Sequence, residues 1–298
     1  KAALSRTKQG TVPLAANDEL KLVPDGRFGG GLHFTKKGTT QPRFKGSGVL
    51  GYNDKNWSAT VSVWLRLDPD KDLAPGYCDP LQIIGDDTKK GFIFMEWSKD
   101  ESPRHFRFAI RPKIELWNPT GLDWAKMTDA QRPAVNLPRA PFSRERWTHA
   151  VFTFENINDP TKKPIGHLYL DAEIKGKIEN WNLTFGWNPD AVQLVLGASY
   201  VGYLDDLAVF NRALTDAEVD RLGKVFSTYT PDSEFSRWQQ IDHEAVKVSS
   251  DLFSVLQVSE HWRIQTGGAF NPAAEAFTRL WNAAARNDSR PEAADLKA

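Results

Sequence analysis

Basic side chains recur at alternate positions along one predicted strand. His105, Arg107 and Arg111 are separated by apolar residues within the segment 105–111. Because successive residues of a strand point to opposite faces, the three basic side chains share one face. Two guanidinium groups that point the same way suit the carboxylate or sulfate groups of an acidic polysaccharide. Pairing of these arginines with Glu96 or other acids on a solvated face is the alternative.

A second predicted strand, residues 57–67, adds polar and aromatic groups. Its odd-numbered positions from Ala59 to Leu67 are apolar, and Trp64 and Arg66 lie on the opposite face. The candidate ligand-binding residues are therefore Trp64, Arg66, Glu96, His105, Arg107 and Arg111. His149, His167 and Tyr169 are further candidates for the same positive and aromatic face.

The same residue types also permit an enzymatic interpretation. With His105 or His149 as base, Tyr169 as acid and Arg107 neutralising a uronate carboxylate, the set suits a polysaccharide lyase. A glycoside hydrolase needs two carboxyl groups on either side of the scissile bond, whereas Glu96 is the only acid on its predicted strand. No catalytic residue is assigned if the protein is a binding domain.

The spacing of Asp68, Asp70 and Asp72 is similar to that of a calcium-binding loop. The sixth position of that loop is Leu73 rather than glycine, which excludes an EF-hand. Cys78 is the only cysteine, so the 298 residues form no internal disulfide and no zinc site with several cysteines.

Composition excludes two broad classes of function. The chain has 38 basic and 38 acidic residues, and this balance argues against a general nucleic-acid-binding protein. No apolar run approaches the roughly 20 residues that a membrane-spanning helix needs. The first residue is Lys1 rather than methionine, which is compatible with a processed chain.

The order of predicted elements indicates an all-β antiparallel β-sandwich with a helical C-terminal extension. Residues 28–201 alternate between short strands and turns rich in proline and glycine. A long stretch, residues 112–145, carries Trp117 and Trp124 between two strands. Apolar residues at steps of three and four predict a helix over 234–258, and Asn271-Pro272 predicts the start of another.

Residues 201–223 read as a strand, a turn and a capped helix. Alternation predicts that Leu204, Ala208 and Phe210 share one strand face. Thr215 and Glu218 form a capping-box sequence at the start of the next helix.

This last stretch resembles the end of a laminin G-like (LamG) jelly roll of the concanavalin A-like lectin/glucanase superfamily. Segments 28–34, 57–67, 147–152 and 166–171 resemble further strands of that family, in the correct order. The resemblance covers roughly residues 15–224. It implies a jelly-roll domain over 1–224, followed by a helical extension over 225–298.

The resemblance also implies a possible metal. Many domains of this family hold a calcium ion at a loop rim, and Asp205 or Asp206 matches the acidic position of the family's last strand. A carboxylate at that position often holds the neighbouring loops together.

The leading functional hypothesis is a non-catalytic recognition domain that binds a glycan or a protein partner. The resemblance implies an exported bacterial protein, secreted or periplasmic. One alternative is a polysaccharide lyase or glycoside hydrolase that acts on an acidic polysaccharide. The other is a structural subunit that binds a protein partner through the predicted helices of residues 234–284.

Overall fold

The computed structural model describes residues 6–7, 10–11, 17–27, 30–38, 40–99, 101–225, 234–239, 241, 245–265, 267 and 290. The chain divides into two compact units, Lys1–Gly223 and Lys224–Ala298. Phe28 and Gly29 of the predicted first strand lie outside the described residues, as do the helix predicted from Asn271 and its Trp281.

The first unit consists mainly of short strands. They are β1 (Arg6–Thr7), β2 (Gly10–Thr11), β3 (Leu20–Val23), β4 (Gly31–Phe34), β5 (Arg43–Lys45), β6 (Trp57–Arg66), β7 (Cys78–Ile84), β8 (Phe92–Trp97), β9 (Phe106–Arg111), β10 (Ala134–Leu137), β11 (Thr148–Ile157), β12 (Ile165–Leu170), β13 (Glu173–Ile178), β14 (Gln193–Ala198) and β15 (Gly202–Phe210). Helices are α1 (Gly46–Val49), α2 (Pro69–Asp72), α3 (Ile114–Trp117) and α4 (Asp216–Val225), with 3-10 turns at Trp124–Lys126, Asp129–Gln131 and Pro189–Ala191.

Strands β3–β15 form two antiparallel sheets that pack face to face, and β1 pairs with β2 in a separate two-stranded sheet. One sheet has the order β10-β9-β8-β7-β14-β5, and the other has the order β13-β12-β11-β6-β15-β4-β3. Side chains from both sheets meet in one hydrophobic core, in which Phe108 of β9 stacks on Phe152 of β11 with ring centroids 4.7 Å apart. The predicted antiparallel sandwich is therefore confirmed.

Strand β6 shows how the sequence selects the core face. Ala59, Val61, Val63 and Leu65 are fully buried in the core. The intervening residues, which include Trp64 and Arg66, lie on the outer face of the seven-stranded sheet. This alternation confirms the period-2 prediction for the strand.

Strand β15 departs from simple alternation because of a bulge. Asp205 pairs with Trp64 and Ala208 pairs with Ser62, so β15 has one extra residue there. Asp206 adopts a positive φ of 45° at this point. As a result, Leu204 and Leu207 both contact the core, and the prediction that Leu204 shares a face with Ala208 and Phe210 is wrong.

Helix α4 packs against the outer face of the seven-stranded sheet. Val219 and Leu214 are buried there with Val151 of β11 and Tyr169 of β12. The predicted capping box is confirmed, since the Thr215 N–H donates to the Glu218 carboxylate over 2.9 Å and the Glu218 N–H donates to Thr215 Oγ1 over 3.3 Å.

In the second unit the described helices are α5 (Glu234–Gln239) and α6 (Ser250–Gln265). The predicted single helix over 234–258 is wrong, because residues 245–249 are not helical. The Ser249 hydroxyl accepts the Leu252 N–H over 3.2 Å and so begins a new helix. Among the described helices, none is both long and apolar enough to cross a membrane.

Candidate functional site: an outer cleft on the seven-stranded sheet

The six candidate ligand-binding residues do not share one face. Trp64 and Arg66 belong to β6 of the seven-stranded sheet, whereas Glu96, Arg107 and Arg111 belong to β8 and β9 of the six-stranded sheet. Both groups point away from the core, so the hydrophobic core lies between them. The prediction of a single positive, aromatic face is therefore wrong.

Arg107 lies at the centre of a buried polar network. Its side chain is 1% exposed, and its Nη1 contacts Glu96 Oε1 at 3.2 Å. Nη2 contacts Glu101 Oε1 at 2.5 Å, and Nε donates to Asn136 Oδ1 over 3.1 Å. Because each guanidinium nitrogen already has a partner within the chain, Arg107 is not available to a polysaccharide carboxylate in this conformation.

The segment 113–137 covers this part of the six-stranded sheet. The Trp124 indole N–H donates to Glu96 Oε1 over 2.8 Å. The Arg111 guanidinium lies 4.8 Å from the Trp117 ring and 5.5 Å from the Trp124 ring. The ligand-binding arginine face that the sequence predicts is thus occupied by the protein's own aromatic side chains. Of the alternative, the pairing of Arg107 with Glu96 is present, but on a covered rather than a solvated face.

The catalytic set proposed for a lyase is not assembled. His105 directly precedes β9, where its backbone N–H donates to Ser98 Oγ over 2.9 Å. Tyr169 lies in β12 of the other sheet and faces away from the core toward α4. His105 and Arg107 are therefore separated from Tyr169 by the core, and their grouping as a catalytic site is wrong.

Arg66 belongs to a row of stacked groups across the outer face of the seven-stranded sheet. His33 stacks on Tyr203 with ring centroids 4.0 Å apart and an interplanar angle of 8°. The Arg66 guanidinium lies 4.2 Å from the Tyr203 ring and 4.9 Å from the Trp147 ring. Because these flat faces contact one another, the row is not an open platform on which a sugar ring could stack.

Trp64 belongs to a second stacked set beside that row. Its ring lies parallel to the His149 ring at 4.5 Å, and the Arg27 guanidinium lies 4.3 Å from the Trp64 ring. His149 is 2% exposed, and its Nε2 is 2.7 Å from Ser62 Oγ. Burial, together with the charge of Arg27, lowers the pKa of His149 to about 4, so this histidine is neutral at pH 7.

The same outer face carries a cleft of about 440 Å³, which we call the outer cleft. It lies over β11 and β12 and is bounded by the turn that leads into α4. Its lining residues are Thr153, Glu155, His167, Tyr169, Ala213, Leu214, Thr215, Asp216 and Ala217. Of these, the sequence analysis identified only His167 and Tyr169 as possible site residues.

Strand register and helix capping position the polar groups of the outer cleft. Thr153 of β11 pairs directly with His167 of β12. Thr60 Oγ1 accepts the Leu214 N–H over 2.9 Å and thereby holds the turn against the sheet. The Tyr169 hydroxyl donates to Asp216 Oδ1 over 2.6 Å, and burial and this bond raise the pKa of Tyr169.

Sequence reasoning missed Glu155, Thr153, Thr215 and Asp216 as members of one site. The signal for the strand residues was the alternation that places Thr153 and Glu155 on the face of His149. The capping box identified Thr215 and Asp216 as the start of a helix. It carried no information about which strands that helix would approach.

Of the acidic residues considered for calcium, Asp68 and Asp205 have structural partners. Asp205 Oδ2 accepts the Arg27 N–H over 2.5 Å, and Asp205 Oδ1 accepts the Asp206 N–H over 2.8 Å. Asp68 caps α2 by accepting the N–H groups of Asp70 and Lys71. Within the described ranges, no group of three or more His, Cys, Asp or Glu side chains is arranged to hold a metal ion. Calcium binding through Asp205 or Asp206 stays a prediction.

Replacing Arg107 tests whether the covered network is structural. Arg107→Met leaves Glu96 buried without its counter-charge, and removal of one partner of a buried ion pair costs about 3–5 kcal/mol. We expect a loss of that size in the free energy of unfolding, measured by urea denaturation. Lys175→Met, which removes an exposed pair with Glu173, should cause no measurable change. If both variants had an equally small effect on the free energy of unfolding, the structural role of the Arg107 network would be contradicted.

The free energy of unfolding should decrease as the pH is lowered, because His149 is buried in its neutral form. Its pKa in the fold, about 4, lies below its ordinary value of 6.5. The stabilisation that comes from burying neutral His149 is fully present above pH 6.5, and it is lost as the pH falls toward 4. The full effect is about 3 kcal/mol. Urea unfolding across this pH range should show a larger loss for the wild type than for His149→Gln, and parallel curves would refute the assignment.

Comparison with protein families identifies the sandwich. The model described as the concanavalin A-like lectin/glucanases superfamily matches residues 44–220, which is more than half of the chain. A model of the ApbE family matches residues 190–298 and overlaps the sandwich at β14, β15 and the start of α4. No curated protein matches the sequence.

Solved structures with a similar fold are distant. The binding domain of botulinum neurotoxin serotype D is 11% identical over 72% of this chain and 46% of its own, with a TM-score of 0.45. A pentraxin from Limulus polyphemus is 12% identical over 63% and 80%, with a TM-score of 0.40. Domain 4 of an extracellular arabinanase from Geobacillus stearothermophilus is 14% identical over 70% and 82%, with a TM-score of 0.34.

The chain spans less than half of the length of the toxin binding domain. The TM-scores of these solved structures are too low to support a fold assignment. The assignment of the fold follows from the family match and from the two antiparallel sheets. The chain belongs to the concanavalin A-like lectin/glucanases superfamily.

Proposed function

We propose that this chain is a non-catalytic recognition domain that binds a neutral glycan in the outer cleft. The observation that carries the proposal is the convergence there of carboxylate, hydroxyl and imidazole groups on a shallow concave surface. They come from Glu155, His167, Thr215 and Asp216. Such groups donate to and accept from sugar hydroxyls, and the half-buried His167 ring adds an apolar surface.

Charge favours a neutral sugar over an acidic one. Glu155 and Asp216 line the outer cleft, and no lysine or arginine does. Two carboxylates repel a uronate or a sulfate. The expectation of an acidic polysaccharide depended on Arg107 and Arg111, whose guanidinium groups contact Glu96, Trp117 and Trp124 instead.

Binding without catalysis fits the environment of the cleft acids. Asp216 accepts the Tyr169 hydroxyl and lies in the first turn of α4, where the helix dipole stabilises a carboxylate. A carboxyl group that already accepts the Tyr169 hydroxyl is poorly placed to donate a proton to a leaving group. Tyr169 is itself engaged with Asp216, and its raised pKa disfavours the phenolate that a base would need.

Export of the protein, and a calcium ion held by Asp205 or Asp206, are further parts of the proposal, and only the family match supports them. A protein partner is the second candidate. It is favoured by three apolar side chains of α6, Phe253, Val258 and Ile264, which are 53%, 57% and 63% exposed.

A panel of neutral and acidic polysaccharides tests the proposal, with the full chain assayed for retention and for new chain ends, with and without calcium. We expect retention of a neutral glycan without product. His167→Ala and Glu155→Ala should each weaken binding about tenfold, the effect of losing about 1.4 kcal/mol. Ile174→Ala, on the exposed edge strand β13 outside the cleft, is the matched control.

Three results would count against the proposal. Retention of acidic glycans alone would contradict the charge argument. New chain ends would show an enzyme. Absence of binding to any glycan would favour the protein partner at α6.

A further inference from the structure

Trp124 makes contacts that resemble those of a bound ligand rather than those of a core residue. Its indole N–H donates to Glu96 Oε1 over 2.8 Å. The guanidinium groups of Arg111 and Arg132 lie 5.5 Å and 5.4 Å from its ring, and the Phe94 ring contacts it edge-on at 5.8 Å. These four side chains form what we call the Trp124 pocket.

The floor beneath the half-buried Trp124 ring is polar, whereas most side chains of this kind lie in solvent. Asp79, Glu96, Arg107 and Asn136 lie side by side on neighbouring strands β7, β8, β9 and β10. Asp79, Glu96 and Arg107 are all at least nine-tenths buried. An apolar floor would cover the same face of the indole without burying three ionisable residues under it.

Trp124 leaves polar atoms around the pocket unsatisfied. Arg132 Nη1, Arg111 Nε, Tyr77 Oη and Asp79 Oδ1 are buried and have no hydrogen-bond partner among the described residues. Arg132 and Asp79 are 8% and 7% exposed. Two of these atoms are guanidinium donors, so an occupant with acceptor oxygens beside its ring would satisfy groups that the indole cannot reach.

The segment that carries Trp124 is a surface loop with few ties to the sheet. Residues 118–131 contain two 3-10 turns and no strand, and most of their side chains are exposed. Asn118 closes a local turn by accepting the Leu122 N–H over 2.9 Å, and Arg132 Nη2 donates to the Met127 carbonyl over 2.6 Å. Such a loop moves at a lower free-energy cost than a paired strand does.

We propose that Trp124 fills, from within the chain, a binding pocket for an aromatic carboxylate whose ring donates an N–H or O–H to Glu96. Residues 118–126, which end before Met127 and Arg132, are the flap that carries this internal occupant. The incoming ring takes the place of the indole between Arg111 and Arg132, and its carboxylate accepts from their unsatisfied N–H groups. The site lies on the opposite sheet from the outer cleft and does not depend on the glycan hypothesis.

Indole-3-acetate is the probe, and its 1-methyl derivative, which lacks the N–H donor, is the matched control ligand. In the full chain, Trp124→Ala removes the internal competitor, so we expect calorimetry to show indole-3-acetate binding at least tenfold more tightly than to the wild type. The 1-methyl derivative should bind to Trp124→Ala at least tenfold more weakly than indole-3-acetate does. Adding Arg132→Gln should weaken binding of indole-3-acetate but not of indole. Trp117→Phe, which loosens the same cover, should give no gain.

A second measurement uses the wild type and does not depend on the folding of a variant. Lys126 is exposed and is the last residue of the 3-10 turn that begins at Trp124. Saturating indole-3-acetate should accelerate tryptic cleavage after Lys126 several-fold, because the displaced flap is open. Equal binding of the two ligands by Trp124→Ala, an equal gain from Trp117→Phe, or an unchanged cleavage rate in the wild type would each overturn the proposal.

Discussion

Every strand of the sandwich turns one face toward the same hydrophobic core, and this constraint determines where polar residues lie. Alternation along β6 and β9 sends Arg66 and Arg107 away from the core. Because the two strands belong to different sheets, the two arginines emerge on opposite sides of the molecule. The core therefore divides the polar residues into two groups that no single ligand bridges.

The two outer faces are covered in different ways. On the six-stranded sheet, the buried Arg107 and Glu96 pair with each other and are covered by tryptophans of the segment 113–137. On the seven-stranded sheet, stacked rings and α4 cover part of the face, and the cover stops short of Glu155 and His167. The remaining surface is concave, polar and acidic. This contrast leads us to place glycan binding in the outer cleft rather than at the arginines.

Local sequence patterns predicted much of the fold. The alternation of β6 and the capping box of Thr215 and Glu218 both appear in the structure as expected, since each depends on residues close in sequence. The bulge at Asp206 was not predictable from alternation, because the shift is visible only in pairing with Trp64 and Ser62. Likewise, the 234–258 periodicity did not reveal the break before Ser250, where a serine cap begins a new helix.

The candidate site was harder to predict than the fold. Alternation shows whether a side chain points into or away from a core, but not to which sheet its strand belongs. Grouping Arg107 with Arg66 and Tyr169 was therefore wrong, although each was correctly placed on a non-core face. The outer cleft unites β11, β12 and the turn before α4, so its composition follows from tertiary packing.

Hydrogen exchange of the full chain, with and without a bound neutral glycan, tests most directly whether the outer cleft is the recognition surface. The account predicts slower exchange on binding in residues 153–155, 167–169 and 213–217, with no change in residues 96–111. Protection of 96–111 and the segment 113–137 instead, with the outer cleft unchanged, would contradict it.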